Sequence, residues 1–189
     1  MKNTCKFLVM LWFGLFFSTA NAQSVVIPVN SVWKYYDRPQ ALASNWASIE
    51  FDDSSWALGK AQIGFGEGDE HTLIAKEHNG QPILVHYFRH KFSWDTQRAL
   101  TSVALRLLVD DGARVYLNNQ EVHRQFLPKA SHPETQLALG SLIEHSWYEV
   151  ALKGQIELKR ENILAVEVRQ VSTTSSDLSF NLELIIEEN

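Results

Sequence analysis

Alternation with a period of two runs through the second half of this sequence and restricts it to strands with one face on a core and one toward solvent. From Ser102 to Asp110, the residues Val103, Leu105, Leu107 and Val109 fall on one side, with Arg106 and Asp110 on the other. Leu164, Val166 and Val168 alternate with Ala165, Glu167 and Arg169, and Leu178, Phe180, Leu182 and Leu184 alternate with Ser179, Asn181 and Glu183. Successive side chains of a strand point to opposite sheet faces, so these runs predict half-buried strands of a β-sandwich. Further strands are predicted over 32–36, 84–94, 114–117, 121–124 and 146–151.

Turn chemistry connects them. Asn118-Asn119 tolerates positive φ and predicts a tight hairpin, and Asp110-Asp111-Gly112 predicts a second one. Long irregular connections are expected over 40–77 and 125–146; the stretch 151–160 has room for one short helix, but no strong helical element is read. There is no internal repeat and no linker rich in proline, glycine or serine. The expectation is a single all-β sandwich, residues 23–189, with strands of two mainly antiparallel sheets joined by long loops.

Residues 1–22 stand apart. Lys2 and Lys6 precede an apolar run of 11 residues, Phe7 to Phe17, and Ala20-Asn21-Ala22 offers a small-x-small cleavage site before Gln23. This order is that of a secretory signal peptide, and the run is shorter than the ~20 apolar residues a membrane span needs. The lone cysteine, Cys5, lies inside it, so the mature chain would have neither a disulfide nor a cysteine to carry a lipid. The expected location is therefore periplasmic or extracellular. Removing the signal leaves 15 basic residues against 22 acidic ones, and the largest basic cluster is Lys159-Arg160. No phosphate-tracking surface is expected, which disfavours nucleic acid and anionic membranes as partners.

The search for catalysis yields little. A Gly-x-Ser-x-Gly elbow is missing, and no cysteine nucleophile survives processing. Gly64-Phe65-Gly66-Glu67-Gly68 resembles a phosphate loop only superficially: Glu67, Asp69 and Glu70 would repel an anion, so it reads as a backbone-turning loop. His86 and His90 would share a metal on a helix, but on the strand predicted here they stand about 13 Å apart. Asp52-Asp53 reads as a turn cap, and Asp110-Asp111 as a hairpin closure with calcium as the open alternative; no other metal or cofactor is expected. Of the mature tryptophans, Trp46 and Trp56 sit in loop contexts and divide between core filling and recognition.

Six segments in order resemble a known family: Phe51-Asp52-Asp53-Ser54-Ser55-Trp56, Ile63 to Glu70, Tyr87-Phe88-Arg89 with Phe92, Val109 to Ala113 with Val115 to Asn118, Asn162 to Val168, and Asp177 to Phe180. Together they look like the galactose-binding-domain-like jelly roll that accompanies bacterial secreted hydrolases and metallophosphoesterases. They are similar, more distantly, to the sugar-binding domain of family-two glycoside hydrolases. Asn119 and Arg160 depart from the glycines usual at those turns. Asp110-Asp111-Gly112 before Val115-Tyr116-Leu117 is also locally similar to the calcium-and-sugar hairpin of protective-antigen-type lectins. The resemblance implies a jelly-roll fold and a non-catalytic accessory module that binds a glycan or polysaccharide. Candidate contacts are Glu70, His71, Tyr87, Arg89, Asp110, Asp111 and Arg124. Against this stands a structural reading in which Arg89 and Arg106 pair with Glu167 across a sheet. A second functional reading makes the chain a protein-interaction or scaffolding subunit docked on a separately encoded envelope enzyme, which calls for an exposed apolar patch.

Overall fold

The structure is a computed structural model and describes residues 22–129, 135–143, 145–153 and 156–188. These residues build a two-layer jelly-roll sandwich; fourteen strands, numbered in chain order, make up two six-stranded sheets and a small hairpin. One sheet is centred on β14 (Leu178–Glu188). On one side β14 pairs with β9 (Leu100–Asp110), which carries β12 (Tyr148–Ala151) as an edge. On its other side lie β1 (Ala22–Ile27) along one half, and β4 (Ile63–Phe65) followed by β5 (Thr72–Leu73) along the other. The second sheet runs β11 (Gln120–Gln125), β10 (Gly112–Leu117), β13 (Glu161–Arg169), β8 (Val85–Ser93), β2 (Val32–Tyr36), β3 (Ala57–Lys60). β6 (Glu77–His78) and β7 (Gln81–Pro82) form the hairpin. Every pairing is antiparallel except β4–β5.

The registers show why alternation builds two layers. On the β14 sheet, Val109 faces Phe180, Leu107 faces Leu182 and Leu105 faces Leu184, all buried. On the β8 sheet, Val115, Val166, Phe88 and Tyr35 lie in one inward row. Aromatic rings join the layers: Phe88 stacks on Phe180 with centroids 3.9 Å apart, and Trp33 meets Phe180 edge-on at 4.9 Å. Such pairs add about 0.5–1.5 kcal/mol beyond the area they bury.

Three local expectations are corrected, and the two loop tryptophans are assigned to a core. Asp110 and Asp111 do not close a hairpin; they carry the chain from β9 in one sheet to β10 in the other. The segment 40–77 is not wholly irregular, since it contains β3, β4 and β5, and β1 precedes the first strand read from the sequence. No helix forms among the described residues of 151–160, where β12 ends and coil follows. Trp46 and Trp56 belong to a core, but a second one: with Ala47, Val85, Tyr87 and Ala165 they pack on the outward face of the β8 sheet. The connection from Asp37 to Trp56 thus lies over that face as a cover.

Candidate binding groove on the outward face of the β8 sheet

Arg89 holds the cover down. It lies on β8, pointing outward, yet is only 1% exposed. Its Nε–H donates to Asp53 Oδ2 at 2.8 Å, one Nη donates to the carbonyl of Trp46, and the other to the carbonyl of Ser48 at 3.0 Å. Burial pushes the Asp53 carboxyl up, but hydrogen bonds from Arg89 and Lys34 outweigh that and hold it below the usual carboxylate range. The expected pairing of Arg89 and Arg106 with Glu167 is not made. Arg106 pairs with Glu183 at 2.6 Å, while Glu167 faces Arg114 and Arg169 at 3.4–3.5 Å.

A cross-strand row runs over the outward face: Arg124, Arg114, Glu167, Tyr87 and Tyr36 are successive Cα partners on β11, β10, β13, β8 and β2. The Arg124 end is closed. Its guanidinium holds Glu121 through two oxygens at 2.6 Å and donates to the carbonyl of Pro128 at 2.7 Å. Toward Tyr87 the face opens into a groove of about 570 Å³, a size that suits a small ligand. Val85 and Tyr87 form its floor. Arg38 and Pro39, just after β2, make one wall; Gln81, Pro82 and Leu84, around β7, make another. Thr135 and Thr173 add hydroxyls at the rim. The Tyr87 ring is fixed by an edge-on contact with Trp46 at 4.8 Å.

The remaining candidates lie around the same end of the sandwich without entering the groove. Glu70 folds back on its own loop and accepts hydrogen bonds from the backbone N–H groups of Glu67 at 2.8 Å and Gly68 at 2.9 Å. His71 is exposed, with its backbone N–H donating to the carbonyl of Gln62. Asp110 and Asp111 sit with Asp177 and Glu67 in an acidic group at the sheet crossing. Burial first, then Asp111 and the further carboxylates, push the Asp110 carboxyl up to about 8. Protonated, Asp110 donates to Asp111, which also accepts from the backbone N–H of Val171 at 2.7 Å. Among the described residues, those whose ligand atoms converge within 4.8 Å are instead Glu67, Asp69 and His145, with His145 Nδ1 2.7 Å from Glu67 Oε2. They offer two carboxylates and one imidazole, a donor set that a borderline divalent ion accepts.

His86 and His90 occupy one strand as individual residues. His86 is fully buried, and burial pulls its pKa down to about 4; its Nε2–H donates to the carbonyl of Ala75 at 2.9 Å. A depression of about 530 Å³ at the far end of β8 is lined by Trp94, Asp95, Arg160 and Glu161. There the Arg98 guanidinium already lies over the Trp94 ring at 5.8 Å.

Of the seven sequence candidates, only Tyr87 lines the groove. Arg38, Gln81 and Leu84 come from separate segments that β2, β7 and β8 bring together. No motif marks them.

Neither a family profile nor a curated protein matches the sequence. Solved structures do match the fold. A calcium-binding mutant of Bacteroides uniformis beta-glucuronidase 2 superimposes with a TM-score of 0.56 at 15% identity, over 88% of this chain and 18% of that one. A beta-glucuronidase from glycoside hydrolase family 2 gives 0.54 at 14% identity, over 92% of this chain and 18% of that one. A beta-glucuronidase from Ruminococcus gnavus, in complex with uronic deoxynojirimycin, gives 0.54 at 10% identity, over 90% and 30%. The chain therefore has the fold of one part of these larger proteins, spanning under a fifth of the length of the first two.

Proposed function

We propose that this chain is a non-catalytic carbohydrate-binding module that holds a glycan in the groove over Tyr87. The observation that carries the reading is the composition of that groove. Its walls of leucine and proline, over a floor of buried valine and tyrosine, match the C–H faces of a sugar ring, and the amide of Gln81, the threonine hydroxyls and Arg38 match its hydroxyl groups. The fold shared with part of several glycoside hydrolases supports the same role. Among the described residues the groove lining includes no carboxylate or imidazole to serve as acid or base. The role further requires export through residues 1–22, with Gln23 as the mature N-terminus.

Affinity electrophoresis against a panel of neutral and acidic polysaccharides tests the reading. Retention on at least one is expected. Thr173→Trp, which fills the rim from an exposed position, should abolish it while leaving the β-sheet circular dichroism unchanged. Migration unaltered by every polysaccharide would overturn the proposal.

One observation favours the interaction-subunit reading. Phe126, Leu139 and Ile143 are 37%, 69% and 82% exposed, and the Leu139 N–H donates to the Phe126 carbonyl, so two of the three are neighbours in space. That reading predicts a stoichiometric envelope partner recovered by the unaltered protein and lost with Leu139→Ser/Ile143→Ser.

A further inference from the structure

We infer that the glycan taken by the groove is an acidic one, whose ring carboxylate or sulfate is held by Arg38; this rests on the groove being a carbohydrate site. The argument is electrostatic. Acidic residues outnumber basic ones by 22 to 17 in the chain, yet among the described residues the groove lining contains one cation and no anion. Arg38 is exposed at the wall, and no hydrogen bond or ion pair engages it among the described residues.

The other arginines of this face differ. Arg89 is held by Asp53, Arg124 by Glu121, and Arg169 by Glu167 together with the carbonyl of Gln136. Arg38 is thus the one lining side chain able to offer a planar pair of charge-assisted donors to a ligand, the geometry that fits a carboxylate or sulfate. The wall it stands on is apolar, formed with Pro39 and facing Pro82 and Leu84. A charge-assisted bidentate contact is stronger than one to a neutral hydroxyl, which is the poorer partner for the guanidinium. A sugar with its anionic substituent turned toward Arg38 would lay its ring against Pro39, Pro82 and Leu84, above the buried Val85 and Tyr87.

The experiment is calorimetric titration of the full chain with three oligosaccharides of equal length: an oligogalacturonate, its carboxyl-reduced neutral counterpart, and a sulfated dextran fragment. The expected result is binding of at least one anionic oligomer about tenfold or more tighter than the neutral one, weakening as salt rises from 50 to 300 mM. Arg38→Gln should bring the anionic and neutral affinities together, and Arg38→Lys should restore part of the difference. Preference for the oligogalacturonate assigns the anion as carboxylate; preference for the dextran fragment assigns it as sulfate. Equal binding of neutral and acidic oligomers, unaffected by Arg38→Gln, overturns this inference and leaves the carbohydrate reading standing. No binding of any oligomer overturns both.

Discussion

Arg89 shows what residue-scale patterning conveys and what it omits. The alternation of β8 places Arg89 opposite Phe88 and so on the outward face, which is where it lies. Outward is not exposed, however, because the cover from Asp37 to Trp56 lies above it, and that segment has no periodicity to announce the contact. The one hint was the pair of carboxylates in Phe51-Asp52-Asp53, of which Asp52 caps the turn by accepting from Ser54 N–H and Asp53 reaches Arg89. Removing one partner of a buried ion pair leaves the other charge uncompensated, at a cost of about 3–5 kcal/mol. Arg89→Ala should therefore lower the free energy of unfolding in urea by roughly 3 kcal/mol or more. Lys34→Ala, which removes the partly exposed partner of the same carboxylate, should cost about 1 kcal/mol or less. Equal effects would mean that Arg89 does not anchor the cover.

At the scale of the element, legibility followed length. β9, β13 and β14 have nine to eleven residues, enough for period two to declare itself. β3, β4 and β5 have four, three and two, too few for any period, and they exist because neighbouring strands present them with a ladder. Gly64 in β4 lies so close to β14 that a Cβ there would fall 1.9 Å from the Leu178 carbonyl oxygen. The hairpin between β10 and β11 was readable, since Asn118 and Asn119 adopt φ of 52° and 69°. Its two residues are not equivalent. The Asn118 side chain bonds Asn162 and the backbone N–H of Ile163, whereas at Asn119 only the backbone N–H is engaged, with the Ala47 carbonyl. Asn119→Gly should leave stability unchanged or raise it by a few tenths of a kcal/mol, because glycine suits positive φ. Asn118→Gly should cost about 1 kcal/mol through the lost hydrogen bonds. Thermal melts of the two variants separate these roles. The groove was the least legible feature, because its walls are loop ends whose proximity depends on the order of strands in the sheet.

For the whole molecule, half-buried Asp110 and fully buried His86 set opposing slopes of stability against pH. Asp110 keeps its proton to about pH 8 when folded and loses it near 3.8 when unfolded. The native state therefore binds the extra proton between those limits, and stability falls as pH rises through them. His86 does the reverse: the unfolded chain takes a proton near 6.5, the folded one only near 4, so stability is lost as pH falls across that window. Asp110→Asn should raise the melting temperature at pH 8 by several degrees, on the order of 2–4 °C per kcal/mol, and by much less at pH 4. His86→Gln should flatten the acid limb alone. Export belongs to this scale too, and N-terminal sequencing of the secreted form should read Gln23 first; a retained Met1 would remove the signal-peptide reading.

The placement of β14 carries a consequence for biosynthesis. Its ladders to β9, β1 and β4 all join it to segments that leave the ribosome earlier, in the case of β1 more than 150 positions earlier. β1 has no partner at all, and β9 and β4 have only the short strands β12 and β5, until Leu178–Glu188 emerges, while every strand of the opposite layer has already been made. A nascent chain therefore waits with an aliphatic surface uncovered, and whatever binds extended polypeptide in the cell, chaperone or translocase, meets it in that interval.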